Sequence, residues 1–381
     1  MSLGLALHTH GRVSGANAPR IVKVLSPDEN AGSALPPFWR AVLNDGSISA
    51  ADPDAPFRAD MLKLPEIVGS GDVIRLRGDT GMVSVLWRRS ARTNSLFATD
   101  RCNSLCVMCS QPPRNEDDGW RVGQLLETIP LIDPDAAQLT ITGGEPTLLG
   151  NGLTKVLQAC GLYLPATKLQ ILTNGRTFRD PTAAAEWCAA ADDRAVWAVP
   201  LYADIPEIHD QVVGAPGAFD DTLDGLYEMA SNNARVEVRV VLHSMTVPRL
   251  GALASYIYRR LPFVEHVALM GLEPMGYAKR NRDQIWIDPA DYVDELNAAV
   301  AYLANRGMAV SIYNLPLCIL PRRMWPFARK SISEWKNTFP PECEPCVLKE
   351  QCSGFFASAG QAWRSRAVRP ITKGELRHEL A

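Results

Sequence analysis

Three cysteines stand at intervals of four and three residues in the stretch TDRCNSLCVMCSQPP: Cys102, Cys106 and Cys109. Thiolates ligate soft metals, and such a triplet can hold three corners of an iron–sulfur cube. Cluster ligation normally takes four cysteines, so a three-cysteine loop leaves one iron open to an outside ligand. A zinc knuckle short of one ligand is the alternative, and no histidine lies nearby to complete it. Further along, LTITGGEPTLLG sets Gly143, Gly144 and Glu145 at the end of an apolar run. Two glycines let a ligand approach the backbone closely, and a carboxylate beside them suits a cationic amino group. Taken alone, GGEP also fits a simple turn.

A second sulfur group closes the chain. Cys343, Cys346 and Cys352 follow a CxxCxxxxxC spacing, with Cys318 upstream as a fourth thiol. Four thiolates suit either an auxiliary 4Fe-4S cluster or a structural zinc; the cluster is the preferred reading and zinc its alternative. The other two cysteines, Cys160 and Cys188, lie in Ala- and Leu-rich helical surroundings and read as core packing. His209 and His266 read as structural, and no Ser-His-Asp arrangement or Walker-type loop is apparent.

The elements that must position these groups follow from periodicity. From Ser95 onward, apolar strand-like runs alternate with helical segments, the pattern of βα units feeding a parallel sheet. Strands are expected at 95–100, 138–142, 168–173, 195–201, 235–242 and 264–270. Six units predict a partial barrel with the cysteine loop after its first strand and GGEP after its second, at the end where α/β barrels bind ligands. Strand parity sends Val236, Val238, Val240 and Leu242 toward helices, leaving Glu237, Arg239 and His243 in the lumen. By the same rule Gln170 and Asn174 point inward, and a polar lumen suits a charged cofactor. One helix is expected from Asp288 to Gly307, and Asp220 is expected to open another that buries Leu223, Leu226 and Tyr227.

The division expected is 1–90, a Pro-, Gly- and Asp-rich region of unreadable role with strands at 73–77 and 82–87; 91–312, the partial barrel; and 313–381, the cysteine-rich module. Of 381 residues, 46% are hydrophobic and 21% charged, the balance of an ordinary globular protein. A net charge of −3 offers no basic field for nucleic acid or an anionic membrane. No apolar run approaches a membrane span, and the start MSLGLALHTHGR lacks the form of a signal peptide. Nine cysteines, an odd number, argue for metal ligation in a cytoplasmic setting rather than a disulfide framework.

A CxxxCxxC loop and GGEP on successive βα units closely resemble the radical S-adenosylmethionine superfamily. That resemblance implies a 4Fe-4S cluster on Cys102, Cys106 and Cys109, with S-adenosylmethionine chelated by the free iron. It also implies that Gly143, Gly144 and Glu145 hold the cofactor's amino group. Where the superfamily usually carries an aromatic residue before the last cysteine, Met108 stands here, and a thioether can also pack on a purine. Gln170, Asn174, Arg239 and His243 are further candidates for cofactor contact. The segments RTNSLFATDRCNSLCVMCSQPPR, ITGGEPTLLG, VALMGLEPMGYAKRN, YNLPLCILP and WPFARKSISEWKN resemble, more narrowly, the HxsC radical maturases of the His-Xaa-Ser system. This implies a small precursor peptide with His-Xaa-Ser repeats as substrate, a second radical maturase and an external electron donor as partners, and an oxidative crosslink as product. A radical enzyme acting on a small molecule or nucleoside, and a non-catalytic metal scaffold, are the alternatives.

Overall fold

The computed structural model describes residues 8–15, 20–44, 47–54, 56–61, 68–330 and 337–377. Most of the opening MSLGLALHTHGR and part of WPFARKSISEWKN lie outside the described residues.

The N-terminal region is a closed β-barrel. Its strands are β1 (His8–Ser14), β2 (Arg20–Leu25), β3 (Arg40–Asn44), β4 (Ser47–Ala50), β5 (Arg58–Met61), β6 (Val73–Arg77) and β7 (Met82–Trp87). They follow the order β1-β5-β4-β3-β2-β6-β7, and β7 pairs back onto β1. All pairings are antiparallel except β2 with β3. Alternation divides each strand between two environments. On β2, Val22 and Val24 join Ile48, Ile74, Leu76 and Val83 in the barrel's own core. Ile21 instead joins Val73 and Trp87 in the core of the sheet that follows. The two strands expected here have the predicted bounds; the other five were not legible.

The second sheet contains β8 (Ser95–Phe97), β9 (Gln138–Thr142), β10 (Lys168–Leu172), β11 (Ala195–Pro200), β12 (Arg235–Leu242), β13 (Val264–Gly271), β14 (Ala309–Tyr313) and β15 (Ala328–Arg329). Among the described residues it is parallel throughout and runs in chain order. Right-handed crossovers in chain order place every connecting helix on one face, so the sheet curls about the other as an open, partial barrel. The fold class is α/β as expected, with eight strands where six were predicted, because β14 and the two-residue β15 continue the sheet toward the tail.

Helix-facing side chains form one continuous core: Val236, Val238, Val240 and Leu242 of β12 pack with Leu250, Leu253 and Ile257 of helix Leu250–Arg260. Helix Pro181–Ala191 starts at Asp180, whose carboxylate accepts from the Thr182 N–H at 2.9 Å, with Pro181 in the first helical position. Asp288 accepts from Ala290 N–H as predicted, opening the turn that leads to helix Val293–Ala304. Asp220 does not open its helix. Ala218–Ser231 begins two residues earlier, where the Asp210 carboxylate takes the N–H groups of Gly217 and Phe219, and Tyr227 is exposed on its outer face. Cys160 and Cys188 are both in the core. No helix of the described residues is long and apolar enough to cross a membrane.

Candidate active site

The cysteine loop leaves the C-terminal end of β8 and is tied down along its length. The buried Asp118 carboxylate accepts from Thr99 Oγ1 and Asp100 N–H, both at 2.6 Å, and from Arg101 Nε at 3.1 Å. Leu105 and Val107 donate backbone N–H groups to the Val213 and Val212 carbonyls at 2.8 and 2.9 Å. From the other side, Tyr277 N–H donates to the Cys109 carbonyl at 2.8 Å, and Asn281 Nδ2 to Val107 O at 2.8 Å. Gly276 sits at φ +52°, where a Cβ would lie 2.4 Å from the Cys109 carbonyl oxygen, so only glycine permits this approach.

The glycines of GGEP meet this loop. Gly144 N–H donates to Thr99 O at 2.7 Å and Glu145 N–H to Arg101 O at 2.8 Å. A Cβ on Gly143 or Gly144 would stand 2.5 or 2.2 Å from those same carbonyl oxygens. Close approach is therefore demanded first by the cysteine loop's own backbone. Glu145 is fully buried, and its carboxylate already has four donors: Thr147 N–H at 3.1 Å, the Thr147 and Thr173 hydroxyls at 2.7 Å each, and Asn174 N–H at 2.6 Å. Burial pushes this carboxyl up while those donors pull it down. Those bonds join the ends of β9 and β10.

Asn174 then reaches the loop, its amide donating to Asn103 Oδ1 at 2.6 Å and lying 4.0 Å from the Cys102 sulfur. Arg176, which the sequence reading did not single out, donates to Asn103 O at 2.5 Å and pairs with Asp221 at 2.9 Å. The signal available was its place two residues after Asn174.

The three thiols are mutually close enough to shape one another's ionisation. Burial, then Glu145 and Cys109, raises Cys102 to about 11; burial, then Cys109 and Cys102, raises Cys106 to about 12; burial raises Cys109. Such thiols give up protons only to a strong cationic partner. Among the described residues no three His, Cys, Asp or Glu side chains converge tightly enough for a single metal ion. A cube binds each sulfur to a different iron, so it needs a wider triangle of thiols than a single ion does, and three thiols that shape one another's ionisation are the donor type it takes.

The remaining candidates are dispersed. Met108 is 7% exposed and packs into an apolar cluster with Tyr202, Val212, Ala278 and Ile285. His243 is fully buried at the end of β12; Nδ1 accepts from Met245 N–H, Nε2 has no hydrogen-bond partner, and burial lowers the ring to about 4. Gln170 and Arg239 donate to Glu237 at 3.4 and 2.6 Å, deeper in the lumen. His209 is buried as a structural residue, accepting from Tyr202 N–H at 3.2 Å.

In the tail, Cys318, Cys343, Cys346 and Cys352 line one small enclosed pocket with Phe339, Phe355 and Ile371. Backbone N–H groups of Leu317 and Gly354 point at the Cys352 sulfur at 3.4 Å, and that of Ile371 at the Cys346 sulfur at 3.5 Å. Such donors stabilise metal-bound thiolates. Burial, then the other three sulfurs, raises Cys343 to about 11.

No family model and no curated protein matches this chain. Among solved structures it is similar to SuiB of Streptococcus suis bound to S-adenosylmethionine, at 16% identity and TM-score 0.44, over 58% of this chain and 50% of that one. It is similar to native anSMEcpe with bound AdoMet at 15% identity and TM-score 0.44, over 58% and 63%. A radical SAM methyltransferase from Sphaerobacter thermophilus gives 16% identity and TM-score 0.43, over 63% and 72%. The chain thus spans half the length of the SuiB structure.

Proposed function

We propose that this chain is a radical S-adenosylmethionine enzyme that matures a ribosomally made peptide containing His-Xaa-Ser units. The observation that carries the reading is the cysteine loop. Three thiols rather than four gather at the C-terminal edge of the sheet, and the loop is bolted by backbone hydrogen bonds to the GGEP turn of the next strand. Cys102, Cys106 and Cys109 would hold the cluster, with Gly143, Gly144, Glu145 and Asn174 building the wall beside it; Met108, Gln170, Arg239 and His243 remain candidates for cofactor contact. Bound there, the cluster and cofactor would supply radical chemistry by reductive cleavage of the cofactor. The chain's own part is to hold the loop, exclude water and admit the peptide.

Cys318, Cys343, Cys346 and Cys352 would hold an auxiliary cluster, which would supply an electron acceptor for an oxidative crosslink. The partners are the precursor peptide, a second radical maturase and an external electron donor, in the reducing cytoplasm that nine unpaired cysteines suit. Coexpression with a His-Xaa-Ser peptide encoded beside this chain tests the reading. A product lighter by about two hydrogen masses per crosslink, absent with Cys106→Ala, is expected. If the partner enzyme alone produces the full change, and this chain cleaves no cofactor when the peptide is present, it is a scaffold instead.

A further inference from the structure

Deep in the lumen, one carboxylate gathers side chains from several strands. Glu237 and His266 are register partners on β12 and β13. Glu237 Oε2 lies 2.8 Å from His266 Nδ1, and His266 Nε2 lies 2.9 Å from Ser311 Oγ on β14. Arg239 Nε donates to the other carboxylate oxygen at 2.6 Å, with Gln170 Nε2 at 3.4 Å. Serine, histidine and glutamate are therefore linked in series. Burial alone would raise the Glu237 carboxyl, but the bond from His266 and the charge of Arg239 hold it below its ordinary value.

Small residues flank this series in register. Ala198 of β11 lies beside Glu237, and Ala268 of β13 lies between Arg239 and Ser311. Toward the N-terminal strand ends, a cavity of about 480 Å³ is lined by Glu237, His266 and Tyr313, and by the exposed Lys168, Arg235 and Glu265. The cysteine loop leaves the opposite strand ends. The series thus runs from inside the lumen to a water-accessible cavity on the side away from the proposed radical centre. A purely structural network needs hydrogen-bond partners but no outlet. An imidazole between a hydroxyl and a carboxylate can take a proton on one nitrogen and release one from the other.

We propose that Ser311, His266 and Glu237 form the proton exit of the lumen, a deepening that rests on the radical reading above. Once a substrate carbon has lost a hydrogen atom, closing its bond to an N–H or O–H group of the peptide expels one proton and one electron. The electron goes to a one-electron iron–sulfur acceptor. The proton reaches Ser311 Oγ as the serine's own proton moves to His266 Nε2, the Nδ1 proton passes to Glu237, and water in the cavity carries it off.

The test compares wild-type holoenzyme with His266→Gln and Ser311→Ala, measuring 5′-deoxyadenosine and crosslinked peptide from the same reactions. Loss of a positioned proton acceptor should slow crosslinking by about a hundred-fold in His266→Gln. The 5′-deoxyadenosine formed per crosslink should rise at least about ten-fold, and a substrate carbon radical should accumulate by electron paramagnetic resonance. Ser311→Ala, a small cut unlike any change of fold, should uncouple in the same direction. Both variants crosslinking at the wild-type rate and ratio would overturn the exit. So would His266→Gln losing both products while Ser311→Ala stays coupled, because that pattern marks a structural histidine. A wild type that forms no 5′-deoxyadenosine with peptide removes the radical reading itself, and is seen before any variant is compared.

Discussion

Glu145 presents a carboxylate with four donors already on it, which changes what its removal should do. Glu145→Ala leaves the Thr173 hydroxyl and the Thr147 and Asn174 N–H groups without an acceptor in a dry site, the Thr147 hydroxyl keeping Thr177 Oγ1 at 3.0 Å, at a cost of about 3 kcal/mol in folding stability. Glu145→Gln, which keeps an acceptor oxygen, should cost less than half of that. Chemical denaturation of the two variants checks this; equal stabilities alongside lost cofactor affinity would show a free amino-group clamp instead. At this scale the cysteines and glycines were legible because their chemistry is written in their own types. Asp118, Arg176 and Ser311 were not, because each acquires meaning only from a partner far along the chain: Asp118 from Thr99, Arg176 from Asp221, Ser311 from His266. His266 read as structural for the same reason.

The junction between the two sheets is built from ions. Arg89 pairs with Asp133 at 2.6 Å and with Glu29 at 2.7 Å, and Lys23 reaches Asp133 as well. The Ser70 hydroxyl and the Ser26 N–H, then Arg89, lower Glu29 from 4.5 to about 2; Asp133, which burial would raise, is lowered by Arg89 and Lys23. A carboxylate with a depressed folded value contributes stability that is complete above its unfolded value and disappears as pH falls through the folded one. Glu29's contribution should therefore be full above about pH 5 and fade toward pH 2. Proteolysis in the 88–94 connection, followed against pH, should rise over that window. In Arg89→Ala the rise should start from a higher baseline at neutral pH; an unchanged profile would show that the apolar contacts of Ile21, Val73 and Trp87 hold the junction alone. The βα units were legible because each repeats one local pattern. Five of the barrel's seven strands were not, since the pairings of β1 with β5 and β7 are non-local and these short strands lie among Pro, Gly and Asp.

For the whole molecule, the proposed function puts one metal group on each of the two thiol sets. Anaerobically reconstituted protein should carry about eight irons, and changing Cys102, Cys106 and Cys109 together to Ala should remove about half. Zinc with one cluster's iron would reassign the tail and leave the loop untouched. One property of the chain's strand edges bears on how a peptide is read. The N-terminal barrel closes on itself, and the parallel sheet ends in β8, three residues long, and β15, two. Among the described residues, then, neither the barrel nor the parallel sheet ends in a long edge strand on which a peptide could add itself as another strand, one of the recurring ways of holding a peptide by its backbone. If the chain acts on a peptide as proposed, recognition falls on side chains, so a precursor whose backbone amides are N-methylated outside the reacting unit should still be processed, whereas one with its side chains scrambled should not.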